Sequence, residues 1–286
     1  MEHEDRFWLS RDGLKLHARV YAGREHLTPV VCIPGLTRNA RDFEELAPRL
    51  AAAGRRRVHC VELRGRGESQ WAKDAMTYAP ISYLSDLEAF FAAERIERAI
   101  FVGTSLGGLL TMMIAATRPG LVAGAVLNDI GPVIDPAGLT RIRGYVGKRG
   151  DYPSWWHAAR ELMDLNRDVY PDWSIDQFLV MAKRVMRVAD GGRIVFDYDP
   201  RIAEPFRQPG GEAGVDLWPA FDALASVPVL SIRGGLSDLF SAATQDEMAR
   251  RAPLLRRLVV PRSGHAPTLD EPECVAAIER LVGELR

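Results

Sequence analysis

A chain of 286 residues has room for one large domain, or for a core carrying an inserted subdomain, around a substantial hydrophobic interior. Its 37 Lys and Arg against 38 Asp and Glu leave a formal net charge of −1, which gives no electrostatic reason for a nucleic acid or an anionic membrane as partner. The start MEHEDR lacks the basic-then-apolar layout of a signal peptide, and no apolar run is long enough to span a bilayer, so a cytoplasmic protein is expected.

The first elements read as an antiparallel hairpin. FWLSR and LKLHARVY flank Asp12-Gly13, and Leu14, Leu16, Ala18 and Val20 alternate onto one face. Short Val- and Ile-rich runs follow at 29–33, 57–63, 99–103, 121–128, 227–232 and 257–261. Helical patterns lie between or after them at 40–52, 82–94, 106–117, 241–251 and 271–285. Alternation of this kind predicts an α/β fold, a mostly parallel sheet covered by helices on both faces. Cys32 and Cys60 fall inside the apolar runs and are expected to be buried and inert, and with no CxxC pair neither a disulfide scaffold nor a zinc site is indicated.

One segment breaks the rhythm. From Gly131 to Trp218 no strand is predicted; amphipathic stretches such as YPSWWHAARELMDL and SIDQFLVMAKRVMRV appear instead, and GGRIVFDYDPRIAEPFRQPGGEAG reads as loop. The expected organisation is a first core part (1–130), a helical insertion (131–218) and a second core part (219–286).

The stretch VGTSLGGLL places Ser105 between a strand, AIFV, and a helix in which Leu106, Leu109, Leu110, Met113 and Ile114 recur at helical spacing. A bare GxSxG is a weak signal. Between a strand and a helix it is the setting of a nucleophile elbow, where a sharp turn pushes the serine hydroxyl above the sheet edge. Gly103 and Gly107 let the flanking backbones approach closely. The helix N-terminus offers N–H groups and partial positive charge where an oxyanion would form.

A serine hydroxyl needs a base. Of six histidines, His265 in PRSGHAPTLDEPE follows the last predicted strand and precedes the last helix, so it can project at the same sheet edge as Ser105. The histidine needs an acid to fix its tautomer. Asp238, in the loop after the 227–232 run, keeps the Ser…Asp…His order of such sites and is the expected acid, with Asp129 in VLNDIGP as its competitor.

PGLTRNARDFEELAPRLA, ELRGRGES, GTSLGG, RGGLSD and SGHAPTLDEPE occur in that order, and through them nearly the whole chain resembles the α/β-hydrolase superfamily. The resemblance implies Ser105 as nucleophile, His265 as general base and Asp238 as orienting acid. It also implies an oxyanion hole from the backbone N–H groups of Leu36 and Leu106, and a cap over the site formed by 131–218. Two departures stand out: Pro34-Gly35 replaces a common His-Gly, and Glu62-Leu63 stands where relatives often carry Asp.

Among the cap aromatics, Trp155 and Trp156 are expected at the substrate, and the basic cluster Arg141, Arg143, Lys148 and Arg149 reads as a solvated face or as a source of one cation for a substrate carboxylate. RGRGES lacks the third glycine of a dinucleotide fingerprint and is expected to shape the rim of the site. No HExxH or carboxylate cluster points to a metal, and no cofactor is implied. The expected activity is hydrolysis of a carboxylic ester or lactone through an acyl-enzyme, by a monomer or homodimer acting on a small molecule. The alternatives are carbon–carbon bond hydrolysis of a ring-fission dienone and non-catalytic ligand binding.

Overall fold

The computed structural model describes residues 2–24, 26–54, 56–207 and 216–285. Its strands are β1 (Glu4–Leu9), β2 (Lys15–Tyr21), β3 (Val30–Ile33), β4 (Val58–Glu62), β5 (Ala99–Thr104), β6 (Val122–Asn128), β7 (Asp151–Tyr152), β8 (Met186–Val188), β9 (Ile194–Phe196), β10 (Val229–Gly234) and β11 (Leu255–Val260). The helices are α1 (Leu46–Gly54), α2 (Pro80–Ala93), α3 (Leu106–Thr117), α4 (Pro136–Tyr145), α5 (Trp155–Asn166), α6 (Ile175–Val185), α7 (Trp218–Asp222), α8 (Ala242–Arg251) and α9 (Pro272–Glu284).

Eight strands form one sheet in the order β1-β2-β4-β3-β5-β6-β10-β11. The opening hairpin joins it antiparallel through β2 and β4, while the pairs from β4 to β11 are parallel. The predicted α/β fold is therefore the observed one. Side chains alternate across such strands, and the core divides accordingly. Val31, Ile33, Phe101, Ala125 and Leu127 pack with α2 and α3 on one face; Val30, Cys32, Ile100, Val102 and Val126 pack with α1 and α9 on the other. Because both faces are covered, these strands are apolar throughout rather than alternating. Cys32, Cys60 and Cys274 are all buried free thiols. Among the described residues no helix is long and apolar enough to cross a membrane.

Between β6 and β10 the chain leaves the sheet. Helices α4, α5 and α6 belong to this excursion, and α5 and α6 share a small core of their own that includes Ala158, Leu162, Phe178, Met181 and Val185. The expectation of a strand-free insertion is corrected here. β7, β9 and β8 form a three-stranded antiparallel sheet, and RIVF, read as loop, supplies its central strand. Strands of two or three residues are too short to display a period-two pattern. Gly191 and Gly192, at φ 87° and 78°, make the tight turn between β8 and β9. The end of the predicted loop, from 208, lies outside the described residues.

Candidate active site

Ser105 sits where β5 turns into α3, with φ 51° and ψ −114°. A non-glycine residue in this region costs on the order of 1–3 kcal/mol and persists only where its surroundings impose it. The surroundings are close backbones. A Cβ on Gly107 would lie 2.0 Å from the Ile33 carbonyl oxygen, and one on Gly103 would lie 2.5 Å from the Gly107 backbone. The Ser105 N–H donates to the Asn128 carbonyl at 2.9 Å, which ties the turn to the end of β6.

His265 lies in the loop between β11 and α9. Its Nε2 is 2.9 Å from Ser105 Oγ and its Nδ1 is 2.8 Å from Asp129 Oδ2. Asp129, immediately after β6, is fully buried. Its Oδ1 accepts from the Gly234 N–H at 2.7 Å, and its Oδ2 also accepts from Ser237 Oγ at 2.6 Å. Three donors thus compensate a buried carboxylate and fix its direction.

The expected acid is therefore corrected: the carboxylate against His265 is Asp129, and Asp238 is elsewhere. Arg141 of α4 holds Asp238 in a two-pronged pair, Nε to Oδ2 at 2.6 Å and Nη2 to Oδ1 at 2.8 Å. That guanidinium keeps the Asp238 carboxyl below its usual range. The physical reason lies in the sheet order. β6 neighbours both β5 and β10, so the residue that ends β6 lies beside the serine turn, whereas Asp238 is four residues past the end of β10 and reaches the insertion.

Three further histidines are committed elsewhere. His17 bonds Glu62 and Asp5 at 2.9 Å each, and His157 bonds Ser154 at 2.9 Å. His59 is buried in β4, and burial pushes its pKa down to about 3.

The loop after β3 brings Leu36 to the same place. A Cβ on Gly35 would be 3.7 Å from Ser105 Cβ, so this loop runs alongside the serine. Leu106 is the first residue of α3, so its N–H belongs to the helix turn that has no preceding carbonyl to bond. The Leu36 carbonyl accepts from Arg66 Nε at 2.8 Å. Arg66 is fully buried, donates from Nη1 to the Arg64 carbonyl at 2.6 Å, and lies 4.8 Å from the Tyr83 ring centroid. The RGRGES turn, read as rim, is in fact a buried strut behind the Leu36 loop. Glu62 anchors that turn by accepting from the Glu68 N–H at 2.6 Å and bonding His17. This gives the Glu-for-Asp departure a structural role.

A cavity of about 140 Å³ opens over Ser105 and His265. The core contributes Leu36, Arg38 and Thr104 to its wall; the insertion contributes Ile142, Tyr145, Leu162, Leu165, Tyr170, Met181 and Phe196. Trp155 and Trp156 are not part of the wall. Trp155 packs on the insertion's own core, and Trp156 is 50% exposed. Helix α5 turns its cavity face only from Leu162 onward, two turns beyond the tryptophans. Tyr170 instead reaches the histidine loop, its hydroxyl donating to the Ala266 carbonyl at 2.6 Å. Among the described residues, no group of three or more His, Cys, Asp or Glu side chains could hold a metal ion.

Comparison with known proteins agrees with this architecture. Residues 30–278 match the model of the alpha/beta hydrolase family. A 3-hydroxybutyrate-oligomer hydrolase of Cupriavidus necator is 34% identical over 255 residues, 86% of this chain and 85% of that protein. The esterase Rv0045c of Mycobacterium tuberculosis is 32% identical over 234 residues, 79% and 74% of the two chains. A crystal structure of an alpha/beta hydrolase from Novosphingobium aromaticivorans is similar at TM-score 0.95 and 57% identity, covering 99% of each chain. The chain belongs to the alpha/beta hydrolase family, and its relatives support a hydrolase function.

Proposed function

We propose that the protein is a serine hydrolase that cleaves a carboxylic ester of short acyl length. The observation that carries the reading is the line of hydrogen bonds from Ser105 Oγ through the His265 ring to Asp129, at 2.9 and 2.8 Å. His265 Nε2 takes the proton as Ser105 attacks the carbonyl, and then delivers it to the leaving alcohol. Asp129, in the role expected of Asp238, holds the Nδ1–H tautomer and stabilises the imidazolium. The Leu36 and Leu106 N–H groups receive the oxyanion. Water activated by the same His265 releases the acid. The insertion acts as a cap, contributing most of the apolar cavity wall.

Support for an ester comes from the relatives, one a 3-hydroxybutyrate-oligomer hydrolase and another an esterase. A cavity of about 140 Å³ suits short acyl groups rather than long ones. The test is turnover of p-nitrophenyl esters from acetate to decanoate, a lactone and the linear 3-hydroxybutyrate dimer, beside one ring-fission dienone. The reading expects cleavage of acetyl to butyryl esters that is lost in Ser105→Ala. Turnover of the dienone alone, or of nothing in the panel, contradicts it.

A further inference from the structure

We propose that the cavity selects an ester that carries a free carboxylate, received by Lys148, Tyr145 and Arg38. The proposal rests on the ester-hydrolase reading above and adds the substrate class. Arg38 commits Nε and Nη2 to the two oxygens of Asp42, at 2.7 and 2.8 Å. Arg184 commits Nε to Glu44 at 2.9 Å and Nη1 to Asp270 at 2.5 Å. Lys148 also lines the cavity, yet among the described residues no carboxylate lies within ion-pair distance of its ammonium.

Tyr145 and Lys148 come from one turn at the end of α4, the Lys148 N–H donating to the Tyr145 carbonyl at 3.1 Å. Among the described residues the Tyr145 hydroxyl has no hydrogen-bond partner, although the side chain lines the cavity. Burial pushes its phenol pKa up, so it stays a neutral donor. Arg38 retains Nη1. The wall thus offers an ammonium, a phenolic O–H and two guanidinium nitrogens, Nη1 of Arg38 and Nη2 of Arg184, and the carboxylate on that wall, Asp42, already accepts from Arg38 with both oxygens. An excess of donors calls for an acceptor-only group, and an ionised carboxylate is that group. The remaining wall, including Ile142, Leu162, Leu165 and Met181, suits a short hydrocarbon portion.

The test compares two substrates of equal shape: the linear 3-hydroxybutyrate dimer as its free acid, and the same dimer with a primary amide at the carboxyl end. The wild-type protein is expected to favour the acid in kcat/KM by about tenfold or more, the scale of a hydrogen bond to a charged group. Lys148→Met is expected to lower the acid-to-amide ratio about tenfold, and Tyr145→Phe about threefold. Raising the salt lowers the ratio for wild type and leaves that of Lys148→Met in place, because an exposed ammonium is screened. Calorimetric binding of both compounds to Ser105→Ala gives the same comparison without turnover. Equal handling of acid and amide, or a ratio unchanged in Lys148→Met, overturns the subsite and leaves the ester chemistry standing. Preferential binding of the acid to Ser105→Ala by a protein that hydrolyses neither compound nor any p-nitrophenyl ester overturns the ester reading and keeps the subsite.

Discussion

Replacing Asp129 by asparagine keeps the shape of the side chain and reverses the polarity of one of its ends. In the native protein its Oδ1 accepts from the Gly234 N–H at 2.7 Å, and its Oδ2 from Ser237 Oγ and His265 Nδ1 at 2.6 and 2.8 Å. Asparagine satisfies Gly234 with its carbonyl oxygen and then presents an NH2 to His265. An NH2 cannot accept from Nδ1–H, so the imidazole shifts to the tautomer with its proton on Nε2. That nitrogen is 2.9 Å from Ser105 Oγ and, once protonated, can no longer take the serine proton. The expected loss in kcat is about 10³- to 10⁴-fold, the scale of a wrong-tautomer histidine. Asp238→Asn is the matched control. It weakens a partly exposed pair with Arg141, worth about 1 kcal/mol or less after screening, and should lower kcat by no more than about fivefold. Steady-state hydrolysis of p-nitrophenyl butyrate, with circular dichroism to confirm folding, reads both. An Asp129→Asn protein within tenfold of wild type, beside an inactive and folded Asp238→Asn, would refute the assignment of the acid.

Gly107→Ala puts a methyl group 2.0 Å from the Ile33 carbonyl, backbone against backbone, so β3 and the serine turn must separate. Scanning calorimetry should find the unfolding temperature lowered by about 5 °C or more, with most of the activity gone. Trp156→Ala removes a half-exposed ring that is not part of the cavity wall, and kcat/KM should stay within about twofold of wild type. His17 carries a pH signature. Burial opposes its charge, yet Glu62 and Asp5 hold its pKa above the usual value. Its contribution to stability is then complete below the unfolded-state value and fades as pH rises through the folded-state one. The melting-temperature advantage of wild type over His17→Gln should shrink as pH rises above about 6.5, and a constant advantage would contradict this.

The parts of the site legible in the sequence are those encoded locally. AIFV, GTSLGG and the helix spacing after Ser105 lie within a few residues of one another, and α3 spans the expected 106–117. His265 was legible because its loop follows β11, whose carboxyl end shares an edge with that of β5. The acid was not. Asp129 and Asp238 each follow strands that adjoin in the sheet, and the choice between them depends on which strand lies beside β5 and on Arg141, 97 residues away from Asp238, which claims the other carboxylate. Strand order along the chain carried no information about that partner. A sharper signal lay in VLNDIGP, where Asp129 directly ends the strand beside β5, at φ 55°. The pocket was illegible for a related reason. Aromatic content singles out Trp155 and Trp156, but the rotation of α5 about its axis decides which side chains meet the cavity, and that is set by its packing on α6. Arg66, buried behind Leu36, carried no sequence signal beyond its place in RGRGES.

Ser105, activated by His265 and Asp129, is the proposed nucleophile. The most direct measurement is mass spectrometry of the protein after reaction with a fluorophosphonate. A single phosphonyl adduct is expected on the peptide bearing Ser105, formed on the order of a thousandfold more slowly in His265→Ala and Asp129→Asn, as follows from loss of the base or its orienting acid. A folded wild-type protein that remains unmodified, or an adduct on another residue with Ser105 untouched, would contradict it.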